Sequence, residues 1–205
     1  MRYKRPYDLM ILIVAHLVLF PLWAILWSVI PIAIWLDDKG PILFRQRRVG
    51  NHGSDFTFLK FRTMVSNAES DGLATAHKDP RITKVGRVLR RTALDELPQI
   101  INILKGEMSF VGPRALPVAM HNEATLEEPR FPDRLTVPPG LTGVAQIYLP
   151  RHCAPKRRLR YDLIYIKKAN LWLDVRLMFN ALLATVTGSW GIGKRESEIS
   201  SEKDL

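Results

Sequence analysis

A long apolar segment near the start of the chain restricts the folds that the chain can adopt. Residues 9–36 contain no Asp, Glu, Lys or Arg, and His16 is the one titratable side chain among them. A membrane-spanning helix needs about 20 apolar residues, and this segment is longer than that. A cleaved signal peptide has a shorter apolar core and a small-residue cleavage site, which is missing before Asp37. The segment therefore predicts that the chain enters a membrane.

Basic residues on both sides of the segment bear on whether it crosses the membrane. They are Arg2, Lys4 and Arg5 before it, and Lys39, Arg45, Arg47 and Arg48 after it. The positive-inside rule draws both groups to the cytoplasmic side. Pro31 removes a helix hydrogen bond, and the hydroxyl of Ser28 is placed to compensate for it. We therefore predict a re-entrant helix-break-helix with its break at Ser28 and Pro31. The alternative, an ordinary kinked span, would leave one basic flank outside.

A β-hairpin is predicted after the membrane segment. Two strand-like runs, residues 42–45 and 56–61, flank a turn-forming cluster at 50–53. Strand alternation places Lys60 and Arg62 on the same side of the second strand. This pair suits contact with a phosphate, and a charged edge strand in solvent is the alternative.

Two adjacent carboxylates, Asp95 and Glu96, follow a basic run that includes Arg90 and Arg91. A basic helix is predicted at 82–89, and a second helix runs from about Pro98 to residue 104. Proline is accepted in a first helical turn, so Asp95 is predicted at or near the N-cap of the second helix. Helix capping alone would explain the two carboxylates. An anionic ligand or a metal ion among the arginines is the functional alternative.

The strongly basic composition indicates an acidic partner. The formal net charge of +10 and the pI near 10.0 imply nucleic acid, an anionic membrane or phosphorylated substrates as partners.

A single cysteine, Cys153, excludes an intramolecular disulfide. Residues 121–136 are predicted to be a surface connection or lid. Residues 171–186 are predicted to be an interfacial helix with basic neighbours, or alternatively a buried core helix.

Five motifs in order resemble the bacterial sugar transferases, the monotopic polyprenyl-phosphate phosphoglycosyl transferases. The motifs are GPILFRQRRVG at 40–50, FLKFRTM at 58–64, RRTALDELPQ at 90–99, SFVGPR at 109–114 and PGLTG at 139–143. The resemblance implies an α+β fold that is mainly helical with a small β-hairpin, a re-entrant membrane helix and interfacial amphipathic helices. We divide the chain into a re-entrant membrane helix at 1–38, a catalytic domain with interfacial helices at 39–190 and a flexible tail at 191–205, where the residues are polar. The resemblance places the protein on the bacterial inner membrane with the catalytic domain facing the cytoplasm.

The resemblance also implies a reaction. Such enzymes transfer a sugar 1-phosphate from a UDP-sugar to undecaprenyl phosphate and release UMP, in the first membrane step of glycoconjugate assembly. Asp95 would be the nucleophile, and Glu96 would either bind Mg²⁺ or receive a proton. Both carboxylates are the expected Mg²⁺ ligands. The residues assigned to substrate or phosphate binding are Lys60, Arg62, Arg90, Arg91, Pro113, Arg114, Thr142 and Gln146.

The chain departs from the family pattern at two positions. Ala115 follows Arg114 where the family often has proline, and Ile30 precedes Pro31 where the family often has serine. Besides its two substrates and the membrane lipids, downstream glycosyltransferases and a second copy of the chain are conceivable partners. A non-catalytic scaffold that binds anionic lipid is the competing interpretation. Nucleic acid is not expected as a partner, because no binding motif accompanies the membrane segment.

Overall fold

The structure, a computed structural model, describes residues 1, 3–66, 68, 79–150 and 153–187, which form a mainly helical protein with two small sheets. The tail predicted at 191–205 lies outside the described residues. The mainly helical class with a β-hairpin is confirmed.

Two helices make up the apolar N-terminal part. They are α1 (Lys4–Val18) and α2 (Phe20–Asp37), and Leu19 separates them. Within the described residues, α2 is the one helix that is long and apolar enough to cross a membrane. Large apolar side chains such as Leu17, Phe20 and Leu36 are exposed on the two helices. This exposure agrees with the predicted membrane segment, and its re-entrant path stays a prediction.

The interruption between the helices differs from the predicted break. Helix α2 continues through Ser28 and Pro31, and the hydroxyl of Ser28 donates a hydrogen bond to the Ala24 carbonyl at 2.8 Å. Packing explains why the proline does not end the helix. Ile30 and Ile34, on either side of it, are buried in a cluster with Phe61 and Leu89. These contacts hold the turn in place although one backbone hydrogen bond is lost.

The predicted hairpin is confirmed. Strands β1 (Leu43–Val49) and β2 (Asp55–Phe61) pair in antiparallel register, with Leu43 opposite Phe61 and Val49 opposite Asp55. His52 and Gly53 take positive φ angles in the connection, which a tight reversal requires. One face of the hairpin carries Phe56 and Phe58 into the core.

Two helices flank the central carboxylates. They are α3 (Lys84–Thr92) and α4 (Gln99–Lys105), and a 3₁₀ turn at Leu94–Glu96 lies between them. Gly106, with φ of 83°, ends α4 one residue after the predicted end at residue 104. The fully buried Asn102 fixes α4 to β2 by accepting from the Leu59 amide at 3.1 Å and donating to the Thr57 carbonyl at 2.8 Å.

The second half of the chain contains a parallel strand pair that the sequence did not predict. Strands β3 (Ser109–Val111) and β4 (Gly140–Thr142) are joined through α5 (Val118–Glu127) and a 3₁₀ segment at Phe131–Thr136. The segment at 121–136 thus forms a connection with mostly exposed residues, as predicted, but it is helical and some of its side chains enter the core. Phe131 and Arg134 are fully buried, and Arg134 Nε donates to Asp162 Oδ2 at 2.7 Å.

Three helices complete the fold. They are α6 (Val144–Tyr148), α7 (Pro155–Lys168) and α8 (Leu171–Thr187). One side of α8 buries Asp174 and Leu177, as a core helix would. Its other side exposes Trp172, which is 81% exposed, together with Phe179 and Val186. Contact of this exposed apolar side with a membrane stays a prediction.

A buried polar cluster joins the first helix to the last. Lys4 Nζ lies 2.9 Å from Asp174 Oδ2 and 2.8 Å from the Tyr165 hydroxyl. One turn later, Asp8 Oδ1 accepts hydrogen bonds from the Ser109 hydroxyl and the Phe110 amide. Burial and the neighbouring Asp174 carboxylate raise the pKa of Tyr165, so this phenol stays protonated. The N-terminal helix is thus fixed to α8 and to β3.

We expect Lys4→Met to lower the free energy of unfolding by about 3–5 kcal/mol, because it leaves the Asp174 carboxylate buried without its cation. A urea titration of the protein in detergent micelles measures this change. The control is Arg47→Gln, which removes the exposed ion pair between Arg47 and Asp55 and should cost less than about 1 kcal/mol. Equal effects of the two substitutions would contradict a structural role for Lys4.

Candidate active site

The carboxylate of Asp95 is held in a tight backbone turn. Ala93, with φ of 55°, reverses the chain after α3, and the Glu96 and Leu97 amides then bond the Ala93 and Leu94 carbonyls. Helix α4 begins only at Gln99, after Pro98. The prediction that Asp95 caps this helix is therefore wrong, because the 3₁₀ turn separates it from the helix start. Asp95 is 4% exposed.

Lys60 on the hairpin is the cation that compensates this buried carboxylate. Its Nζ forms an ion pair with Asp95 Oδ2. A buried ionised carboxylate is costly unless it is paired, so the contact accounts for the burial of Asp95. Lys60 shares a hairpin face with Phe56 and Phe58, which pack on α1 and α4. The hydrophobic packing of the hairpin therefore brings the ammonium group to the turn.

Glu96 occupies a different electrostatic environment from its neighbour. Burial and the adjacent Asp95 raise the pKa of the Glu96 carboxyl, while Arg114, Lys60 and Arg48 act in the opposite direction. A carboxyl group with a raised pKa next to a second buried carboxylate is common in active sites.

Arg48 belongs to the site although the sequence did not predict it. Its Nε and Nη2 donate to Gln46 Oε1 at 3.1 and 3.0 Å, and its Nη1 donates to the Ala115 carbonyl at 3.1 Å. Its guanidinium carbon lies 3.5 Å from the centre of the Phe58 ring. Burial and the neighbouring Arg114 lower the pKa of Arg48 to about 9, which leaves it charged at neutral pH. Only the hairpin register distinguishes it from Arg47.

The loop that carries Arg114 is fixed by close backbone packing. A Cβ atom on Gly140 would lie 2.0 Å from the Gly112 nitrogen, so the parallel strands can approach this closely only with glycine. Pro113 is buried, and the Arg114 carbonyl accepts a hydrogen bond from Arg134 Nη2 at 2.9 Å. The loop is thus held firmly although alanine follows Arg114.

The other predicted basic residues lie in different places. Arg90 Nε donates to the Thr63 hydroxyl at 2.8 Å, and Arg91 is exposed at the end of α3. Arg62 does not share a site with Lys60. It pairs with Asp38 after α2 at 3.1 Å and also contacts Ser66. Strand β2 ends at Phe61, so the alternation that predicted a common direction for the two side chains no longer applies.

The side chains of Thr142 and Gln146 each have one buried polar atom without a hydrogen-bond partner among the described residues. Thr142 is buried in β4 opposite Val111, and Gln146 Nε2 donates to the Leu141 carbonyl at 3.0 Å. The Thr142 hydroxyl and Gln146 Oε1 are buried and have no hydrogen-bond partner among the described residues. The side-chain amide nitrogen (Nε2) of Gln99, at the start of α4, is in the same state. Buried polar atoms without partners are candidates for ligand contacts.

The two carboxylates fit a magnesium ion in one particular way. In the described part of the chain, no group of three His, Cys, Asp or Glu side chains could hold a metal ion. Mg²⁺ is commonly bound through one or two protein carboxylates, with substrate phosphates and waters as its other ligands. Asp95 and Glu96 would supply the carboxylates of such a site, and the phosphates of a substrate would supply further ligands.

Comparison with known proteins identifies the family. Residues 1–188 match the family described as "Bacterial sugar transferase". The chain belongs to this family. It is 37% identical over 181 residues to a UDP-glucose:undecaprenyl-phosphate glucose-1-phosphate transferase of Caulobacter vibrioides, covering 85% of this chain and 68% of that protein. The prediction of the family from five sequence motifs is confirmed.

Two other relatives differ in total length. The chain is 36% identical to a UDP-N-acetylgalactosamine-undecaprenyl-phosphate N-acetylgalactosaminephosphotransferase of Aeromonas hydrophila, covering 90% of this chain but only 44% of that protein. It is 35% identical to the exopolysaccharide production protein PSS of Rhizobium leguminosarum, covering 92% and 97% of the two chains. The chain thus spans less than half of one relative and nearly the whole of another.

We expect Asp95→Asn to lower the pKa of Glu96, because the substitution removes one of the two causes that raise it. Carboxyl ¹³C NMR during a pH titration measures this pKa, and Glu96→Gln assigns the resonance. Asp55→Asn, an equivalent change at an exposed position, should leave the pKa unchanged. An unchanged Glu96 pKa in Asp95→Asn would mean that the two carboxylates do not interact.

Proposed function

We propose that this protein transfers a sugar 1-phosphate from a UDP-sugar to undecaprenyl phosphate, giving a polyprenyl-diphosphate-sugar and UMP. The observation that carries the proposal is the buried ion pair of Asp95 and Lys60 with Glu96, Arg48 and Arg114 around it. Relatives whose names specify UDP-sugars and undecaprenyl phosphate support the same reaction.

The proposed reaction has two displacement steps at one phosphorus atom. In the first, an Asp95 carboxylate oxygen attacks the phosphorus that bears the sugar, and the bond from this phosphorus to the UMP oxygen breaks. UMP leaves, and an acyl-phosphate joins Asp95 to the sugar phosphate. In the second, a phosphate oxygen of undecaprenyl phosphate attacks the same phosphorus, and the carboxylate of Asp95 is released. Dividing the transfer in this way lowers the barrier of each step.

The residues around Asp95 have separate roles in this scheme. Lys60 holds the carboxylate in position before attack and stabilises negative charge that develops on the phosphoryl oxygens. Arg114 binds phosphate from its rigid loop. Glu96, with its raised pKa, serves as a magnesium ligand when ionised or holds a proton when neutral. Bound Mg²⁺ supplies positive charge to the diphosphate and the leaving UMP.

The proposed reaction takes place at a membrane surface. Undecaprenyl phosphate is a lipid, so the reacting phosphate lies at a membrane surface. Helix α2 and the exposed apolar side of α8 provide two attachments to that surface. With basic residues on both sides of the apolar segment, the proposal places the site on the cytoplasmic face of the bacterial inner membrane, with a re-entrant N-terminal segment.

We expect UMP release with one or two donors from a panel of UDP-sugars, in the presence of undecaprenyl phosphate and Mg²⁺. Asp95→Asn should reduce the rate by roughly 10⁴-fold or more, because it removes the attacking group. Chelation of the metal with EDTA should abolish release. Asp133→Asn, the same change in an exposed ion pair, is the control and should retain the parental rate.

Two further measurements distinguish the transferase activity from the covalent aspartate mechanism. Incubation with the donor but without lipid should add the mass of one sugar phosphate to the intact protein, and Asp95→Asn should prevent the addition. Turnover that survives in Asp95→Asn would keep the transferase activity and reject the covalent aspartate. No UMP from any donor, with a folded protein that still binds lipid vesicles, would favour the scaffold interpretation.

A further inference from the structure

We infer that Arg48 is a substrate-contacting residue, whose guanidinium binds the diphosphate group of the nucleotide-sugar donor together with Arg114, and that Gln46 is its positioning residue. The inference rests on the proposed function for the identity of the donor. It assigns a role to a residue that the motif-based prediction did not select.

The guanidinium of Arg48 is held in one orientation by three different contacts. Gln46 Oε1 accepts from both Nε and Nη2, the Ala115 carbonyl accepts from Nη1, and the Phe58 ring lies against the guanidinium plane. Arginine carries five N–H donors, and these bonds use three of them. One N–H on each terminal nitrogen is left to bind a ligand. Two such donors on one plane match two oxygens of a phosphate.

The electrostatic surroundings of Arg48 favour an anion. Arg114 and Arg48 are near enough to each other for their charges to interact unfavourably, and both are near Glu96. A diphosphate placed between the two arginines would relieve their repulsion. It would also lie beside Asp95, which contacts Lys60 in the same cluster.

The neighbouring arginine shows that position, not residue type, decides this role. Arg47 and Arg48 are adjacent in β1 and therefore point to opposite faces of the hairpin. The Arg47 side chain is 73% exposed and pairs with Asp55 in the adjacent strand. Arg48 lies opposite Phe56, on the face that also carries Gln46 and Lys60. Arg47 is thus a matched control for charge and location in sequence.

Substitution of Arg48 should leave the backbone of the hairpin in place. Strand β1 is joined to the segment after Arg114 by a backbone bond from the Val49 amide to the Leu116 carbonyl at 3.0 Å. This bond does not involve the Arg48 side chain. The effects of Arg48 variants on binding can therefore be separated from effects on folding, which thermal unfolding monitors.

The experiment compares Arg48→Gln, Arg48→Lys and Arg47→Gln in the full chain in detergent or bilayer discs. The readouts are kcat and KM for the active UDP-sugar, and equilibrium binding of UDP and of inorganic pyrophosphate with Mg²⁺. Loss of charge-assisted hydrogen bonds should raise KM and weaken diphosphate binding by about 10- to 100-fold in Arg48→Gln. Arg48→Lys should recover little, because an ammonium group cannot use Gln46 and a phosphate in the same planar arrangement. Arg47→Gln should match the parent.

Gln46→Met tests the positioning role separately, since it preserves side-chain length and removes the acceptor. We expect a rise in KM for the donor with a smaller change in kcat and an unchanged unfolding temperature. A variant that merely loosened the fold would lower the unfolding temperature instead.

The results distinguish a failure of the role of Arg48 from a failure of the proposed function. Parental KM and parental diphosphate binding in a folded Arg48→Gln would overturn the role of Arg48 while the proposed function stands. If the parent releases no UMP from any donor, the proposed function fails, and UDP or pyrophosphate binding alone then decides whether Arg48 binds a diphosphate. Should Arg48→Gln fail to fold, KM and diphosphate binding in Gln46→Met and Arg48→Lys decide the inference.

Discussion

A carboxylate that is removed from water must meet a cation, and this requirement organises the centre of the molecule. Asp95 is buried because Lys60 reaches it from the hairpin. Lys60 reaches it because Phe56 and Phe58 on the same face pack against α1 and α4. The buried Asn102 then fixes the separation of hairpin and helix through two backbone contacts. Hydrophobic packing thus sets the geometry, and the ion pair holds the Asp95 carboxylate within it.

The same hydrogen-bonded framework extends from the membrane helices to the substrate loop. Asp8 in α1 holds the start of β3, and the loop after β3 carries Arg114. On the other side, the Tyr165 hydroxyl lies 3.2 Å from the Val111 carbonyl in β3 and also contacts Lys4 and Asp174. The orientation of the N-terminal helix and the position of Arg114 are therefore parts of one rigid arrangement. Under the proposed function, the acceptor phosphate would therefore meet a site that is held in a fixed position relative to α1.

Sequence reasoning gave the family, the hairpin and the central carboxylate pair, because these rest on local motifs and long periodic segments. It placed Lys60 and Arg62 together because it extended the strand alternation past Phe61, where β2 ends. It overlooked Arg48 because the pairing register of the hairpin cannot be read from one strand alone. It also missed β3 and β4, since three-residue strands leave no periodic pattern. The prolines and charges of residues 121–136 indicated a surface loop, yet Arg134 is buried by its pairing with Asp162. Tertiary pairing decided each of these differences.

The contact between Lys4 and Asp174 joins residues that are 170 positions apart in the chain. A ribosome that adds about 5–20 residues per second makes the second residue roughly 10 to 30 seconds after the first. During that interval the apolar helices have already left the ribosome, while the partner of Lys4 does not yet exist. Under the proposed membrane attachment, the apolar helices can enter the lipid before Lys4 has its partner. The contact between Lys4 and Asp174 then forms only after α8 has been made.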